Sequence, residues 1–176
     1  MTRTDGTPPA TSAPVPRSEA GPAKITVLGA GSWGTTFAKV LADAAADAGA
    51  ERTVCLWGRS PEAMATLSRE HRNERYVPGV DLPEGLEYSS DLPAALEGAG
   101  LVVAAIPAQS LRAQLTMAAP HLDPDAVVLS LAKGLESTTG LRMTEVIAQV
   151  LGAHAAGSQE EWAGRTCVLS GPNLAM

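Results

Sequence analysis

Two stretches of this 176-residue sequence have residue types and spacing suited to phosphate chemistry. In the first, Gly29-Ala30-Gly31-Ser32-Trp33-Gly34, the glycines stand at the first, third and sixth positions, between a β-branched run and an amphipathic one. Such a loop can cradle a pyrophosphate. Gly29 permits a tight turn, Gly31 lets the backbone approach the anion, and Gly34 lets helix and strand pack closely. Backbone N–H groups at the helix N-terminus then face the negative charge, assisted by the helix dipole. Trp33 either shields a bound molecule or packs beneath the loop. The second stretch presents Lys133, between the apolar Ala126–Ala132 and Gly134. The carboxyl edge of a buried parallel strand is where ligands bind, and an ammonium there can hold a phosphate or hydroxyl as a point charge.

A third position discriminates between pyridine nucleotides. A carboxylate ending the second strand would bond the ribose 2′-hydroxyl of NAD(H). The sequence instead has Trp57-Gly58-Arg59-Ser60. Arg59 can form charge-assisted bonds to a 2′-phosphate and Ser60 can add its hydroxyl, so NADP(H) is expected to be accepted as well as NAD(H). Gln109 and Ser110 follow Pro107 on the same edge and are expected to line the nicotinamide pocket. His71, His121 and His154 share no spacing, and Glu62, Arg69, Glu70 and Arg72 read as a solvated helix face.

Positioning these residues requires alternating strands and helices. The pattern predicts strands over Lys24–Leu28, Thr53–Trp57, Leu101–Ile106, Ala126–Ala132 and Arg165–Ser170. Helices are expected over Thr35–Ala48, with Phe37, Val40, Leu41 and Ala44 on its apolar face, from Ser60-Pro61, from Asp91, through Leu111 and Leu115, and over Leu141–Leu151. Arg72–Ser90 reads as irregular. This is the signature of an α/β fold with a doubly wound parallel sheet, a Rossmann-type dinucleotide-binding domain over residues 23–176. Residues 1–22, rich in Pro, Ser, Thr and Ala, read as a disordered tail.

Composition narrows the partners. Nineteen acidic against thirteen basic residues give a net charge of −6, and aromatics make up only 3%. Both argue against a nucleic-acid surface. No run approaches the ~18 apolar residues of a membrane span. Cys55 and Cys167 cannot form a disulfide framework or a metal site, and both are expected to be buried, inert thiols in a cytoplasmic protein.

Taken in order, the glycine loop through Thr35, Leu56-Trp57-Gly58-Arg59, Asn73-x-x-Tyr76-x-Pro78, Lys133-Gly134-Leu135-Glu136 and Ser170-Gly171-Pro172-Asn173-x-Ala175 closely resemble bacterial NAD(P)-dependent glycerol-3-phosphate dehydrogenase from about Lys24 to Met176. The resemblance implies interconversion of sn-glycerol 3-phosphate and dihydroxyacetone phosphate by hydride transfer, feeding glycerophospholipid synthesis. It implies cofactor contacts at Ser32, Trp33, Arg59, Tyr76, Lys133 and Ala175, and substrate contacts at Lys133, Gly171 and Asn173. In that family the motif at Gly171–Ala175 leads into a helical substrate domain that carries the catalytic lysine. The expectation is therefore a cofactor domain without the proton acceptor, inactive alone, with any homo-oligomer formed through the other domain. Two other readings stand beside it: a non-enzymatic NAD(P)H-sensing module, and a related β-hydroxyacid or imine reductase.

Overall fold

The computed structural model describes residues 21–170. Its strands are β1 (Lys24–Leu28), β2 (Thr53–Trp57), β3 (Leu86–Ser89), β4 (Leu101–Ala104), β5 (Val127–Ser130) and β6 (Thr166–Val168). Its helices are α1 (Ser32–Asp47), α2 (Pro61–Glu70), α3 (Leu92–Leu96), α4 (Ala108–Ala118), α5 (Met143–His154) and α6 (Gln159–Gly164). All strand pairs are parallel, in the order β3-β2-β1-β4-β5-β6. β1 and β4 meet where the winding reverses, so their carboxyl ends open a crevice.

Successive strand residues point to opposite faces, and that alternation divides the core in two. Ile25, Val27, Val54, Leu56 and Val103 pack with Ala38 and Ala42 of α1 and Met64 and Leu67 of α2. Leu28, Cys55, Trp57, Val102, Ala104 and Val128 pack with α3, α4, α5 and Trp162 of α6. Thr26, fully buried on the second face, donates its hydroxyl to the Ala95 carbonyl of α3 at 2.6 Å. Its polarity is thus satisfied inside the core.

The structure corrects several expectations. Helix α1 begins at Ser32, so the glycine loop supplies its first turn. Its buried face is Gly34, Thr35, Ala38, Ala42 and Ala45. Val40, expected in the core, is 55% exposed, Ala44 is exposed, and Phe37 and Leu41 pack at the margin. The cause is proximity: a helix held this close to the sheet has room only for small residues beneath it. β3 lies inside the stretch expected to be irregular; it is short and extends the sheet from β2. α6 adds a helix to those expected, and Ser158 and Glu161 form a capping box at its start. β4, β5 and β6 are shorter than the strands the pattern predicts over Leu101–Ile106, Ala126–Ala132 and Arg165–Ser170.

The two thiols also part company. Cys55 is buried, and burial pushes its thiol up to about 11. Cys167, on β6 at the edge of the described sheet, is exposed. Residues 1–20 of the expected tail lie outside the described residues, while the Pro22 carbonyl accepts a 3.0 Å bond from Arg52 Nε. No described helix is long and apolar enough to cross a membrane.

Because α1 rests on small residues, Ala38→Leu should cost about 1–3 kcal/mol in chemical denaturation, the usual penalty of overpacking. Val40→Ala should stay within about 0.5 kcal/mol of the parent, as exposed substitutions do. The opposite ranking would place the buried face where the sequence pattern alone put it.

Candidate functional site

The crevice above the carboxyl ends of β1, β2, β4 and β5 is a cleft of ≈ 1020 Å³. Its floor is the glycine loop, and the three glycines serve different physical ends. Gly29 has φ +112°, and a Cβ there would sit 2.5 Å from the Ala105 carbonyl oxygen. A Cβ on Gly34 would fall 1.8 Å from the Gly29 carbonyl oxygen. Both positions are closed to side chains by the protein itself. Around Gly31, by contrast, nothing lies within 4 Å of an added Cβ. Gly31 is also the N-cap of α1, with no side-chain cap, and no acidic residue follows in the first turn. The unbonded N–H groups of that turn therefore face open space that a side chain at 31 would fill, a cradle suited to an anion.

The walls come from loops that the sheet brings together. Ala105, Ile106 and Pro107 follow β4, with Ser110 and Gln114 beyond them on α4, and Leu131 and Ala132 follow β5. Opposite stand Gly58, Arg59, Ser60 and Glu62 at the β2–α2 junction and Asn73 through Tyr76 after α2. Trp33 is 47% exposed at the mouth, its ring tilted against Phe37 with centroids 6.4 Å apart, so it does not pack beneath the loop. Tyr76 is also exposed on the rim, with the Arg75 guanidinium 5.2 Å from its ring centroid. Asn73 is buried and donates Nδ2 to the Ala30 carbonyl at 3.2 Å and to Thr35 Oγ1 at 2.8 Å.

Arg59 is exposed and lines the cleft as expected. The Ser60 hydroxyl is already committed: it accepts from Ala63 N–H at 3.2 Å, capping α2, and donates to Glu62 Oε2 at 2.9 Å. Glu62 is thus more than a solvated charge on a helix face. It lines the cleft beside Arg59, and bonds from its own backbone and from Ser60 hold its carboxyl below the usual range.

The loop after β5 is anchored from α4. Arg112 grips Glu136 with a two-pronged ion pair, 2.9 Å at each oxygen, and reaches Gln149 at 2.8 Å. Thr139 adds its hydroxyl to Glu136 at 2.5 Å. Gln109 donates to the Leu135 carbonyl at 3.0 Å and accepts from the Ser137 N–H and hydroxyl. Gln109 is therefore a brace for this loop rather than a lining residue, whereas Ser110 does line the cleft. Lys133 begins the loop and is exposed one residue beyond the cleft wall. Gly171, Asn173 and Ala175 lie outside the described residues.

A family model for the NAD-dependent glycerol-3-phosphate dehydrogenase N-terminus matches residues 24–176. The chain belongs to the glycerol-3-phosphate dehydrogenase family. A relative from Nocardia farcinica named glycerol-3-phosphate dehydrogenase (NAD(P)+) is 52% identical over 157 residues, covering 86% of this chain and 42% of the relative. The glycerol-3-phosphate dehydrogenase structure from Coxiella burnetii superposes with TM-score 0.65 at 34% identity, over 74% of this chain and 38% of that one. The enzyme structure from Saccharomyces cerevisiae gives 0.70 at 28% identity, over 87% and 43%. The chain thus spans less than half the length of these glycerol-3-phosphate dehydrogenases.

Arg112 and the side-chain role of Asn73 escaped the sequence reading. Arg112 and Glu136 are 24 residues apart, and only the topology joins them. Arg112 and Thr139 hold the Glu136 carboxyl down at about 2, from an ordinary 4.5. Folding favours the ionised form, so this contribution to stability is complete above about pH 4.5 and is lost as pH falls from there towards 2. Urea midpoints taken at stepped pH should therefore fall more steeply through this window in the parent than in Arg112→Leu. Equal slopes would mean that the ion pair contributes nothing to the acid limb.

Proposed function

We propose that the cleft binds NADP(H) or NAD(H), and that the chain is the cofactor-binding part of an oxidoreductase interconverting sn-glycerol 3-phosphate and dihydroxyacetone phosphate. The observation that carries this reading is the open space at Gly31 between two glycines forced by internal contacts. A glycine that the fold does not require is explained by a ligand that must come close. The bound nucleotide would supply or accept the hydride.

The chain's own residues bind and orient. N–H groups of Gly31, Ser32 and Trp33 face the pyrophosphate, with Gly29, Ala30 and Gly34 shaping the turn. Arg59 meets the adenosine end, Trp33 and Tyr76 cover the rim, and Ala175 adds a cofactor contact. Lys133 is the residue we assign to both cofactor and substrate, with its loop braced by Gln109 and Arg112 so that the ammonium is presented from a fixed support. Gly171 and Asn173 complete the substrate side. No residue of this chain is assigned as the proton acceptor of hydride transfer. A cytoplasmic location, with a small-molecule substrate and no nucleic-acid partner, accords with this reading and with the net charge of −6.

Fluorescence titration with NADPH and NADH tests the proposal. Saturable binding of either is expected, and its absence from the parent chain would remove the reading. Arg59→Ala should weaken NADPH about tenfold or more while leaving NADH within about twofold, because only NADPH has the 2′-phosphate. Equal losses would sink the assignment of Arg59. Glu62→Gln removes a like charge from the same mouth and should shift the preference towards NADPH by roughly two- to tenfold.

A further inference from the structure

We propose that Asn73 is a positioning residue for the cofactor: its side-chain amide ties the glycine loop to the rim bearing Tyr76, setting the floor and wall of the cleft as one unit. This rests on the reading of the cleft as a pyridine-nucleotide site. Asn73 is only 7% exposed, and its Nδ2 group has two protons to donate. One goes to the Ala30 carbonyl and the other to the hydroxyl of fully buried Thr35. The two acceptors bracket the turn from Gly31 to Gly34, before and after the N–H groups that face the cradle. Meanwhile the backbone carbonyl of Asn73 accepts from Tyr76 N–H at 3.0 Å and Val77 N–H at 2.7 Å, closing the turn that carries Arg75 and Tyr76. One residue therefore ends two structures that lie 43 positions apart in sequence.

The chemistry explains why an amide serves here. A carbonyl oxygen beside an anion cradle repels a phosphate, and a donated N–H offsets that partial charge. Alanine would leave the Ala30 carbonyl and the Thr35 hydroxyl without this partner. Aspartate, nearly the same shape, would offer no proton when ionised and would add a negative charge beside the pyrophosphate.

Calorimetric titration of the chain with NAD+ tests the proposal, with ligand-free melting curves recorded for each variant. The set is the parent, Asn73→Ala, Asn73→Asp, Tyr76→Ala and the double variant Asn73→Ala/Tyr76→Ala. Asn73→Ala should weaken NAD+ roughly tenfold, and Asn73→Asp should weaken it further. If Asn73 holds Tyr76 in place, the double variant loses clearly less than the sum of the single losses, measured in logarithms of Kd. A residue that served only the fold would lower the melting temperature and leave the affinity of the folded protein unchanged. Parent-like affinity in Asn73→Ala, or fully additive losses, overturns the proposal. Should Asn73→Ala fail to fold, Thr35→Val, which retains the bond to Ala30, should still weaken NAD+ by roughly two- to fivefold, and parent-like affinity there is equally fatal. A parent chain that does not bind NAD+ overturns the underlying reading as well, whereas a binding parent with unaffected variants overturns this proposal alone.

Discussion

The approach of α1 to the end of β1 is the constraint on which the rest of the structure depends. At Gly34 the helix backbone lies so near the Gly29 carbonyl that a single carbon atom cannot be inserted. From that contact follow the small residues under α1, the exposed Val40 and the displacement of Phe37 and Leu41 to the margin. The same contact aims the first turn of α1 across the crevice between β1 and β4, so packing and anion recognition have one origin. A looser joint would leave the N–H groups in the same order but pointing elsewhere.

Around that joint the molecule braces its loops from a distance. Asn73 reaches the glycine loop from beyond α2, and Arg112 and Gln109 reach the loop after β5 from α4. Two of these braces involve a buried polar group, Asn73 and Glu136, each hydrogen-bonded as groups withdrawn from water must be. The Arg112–Glu136 pair gains from its geometry, since a planar guanidinium meets both carboxylate oxygens at once. Exposed pairs such as Arg69–Glu70 have no such arrangement and contribute little.

Much of this was legible in the sequence. Periodicity located β1 and β2 to the residue, and the alternation of runs fixed the class of fold. The cap at Ser60 and the apolar stripe Met143, Val146, Ile147 and Val150 were likewise read directly. Local patterns failed where the deciding contact was long-range. The helical moment of α1 pointed to its large residues, but the separation between helix and sheet selected its small ones. β3 is four residues long and takes its conformation from β2, so its own pattern carried little signal. Glycine spacing revealed the cradle, yet nothing in Asn73 or Arg112 announced their partners. Ser60 reads as a ligand contact as well as a cap because its bond to Glu62 is invisible until α2 is built.

Helix α4 carries a consequence for how the gene can change. Ser110 and Gln114 line the cleft, Leu111, Leu115 and Ala118 lie in the core, and Gln109 and Arg112 brace the Lys133 loop. Three duties are thus written on three faces of one eleven-residue cylinder. Adding or deleting one codon within it would rotate everything downstream by about 100°. Core, wall and brace would then be misaligned together, although no single substitution could do so. Length variation should accordingly be purged from this helix and accumulate in turns such as Gly49–Glu51, whose residues are exposed and belong to neither core cluster.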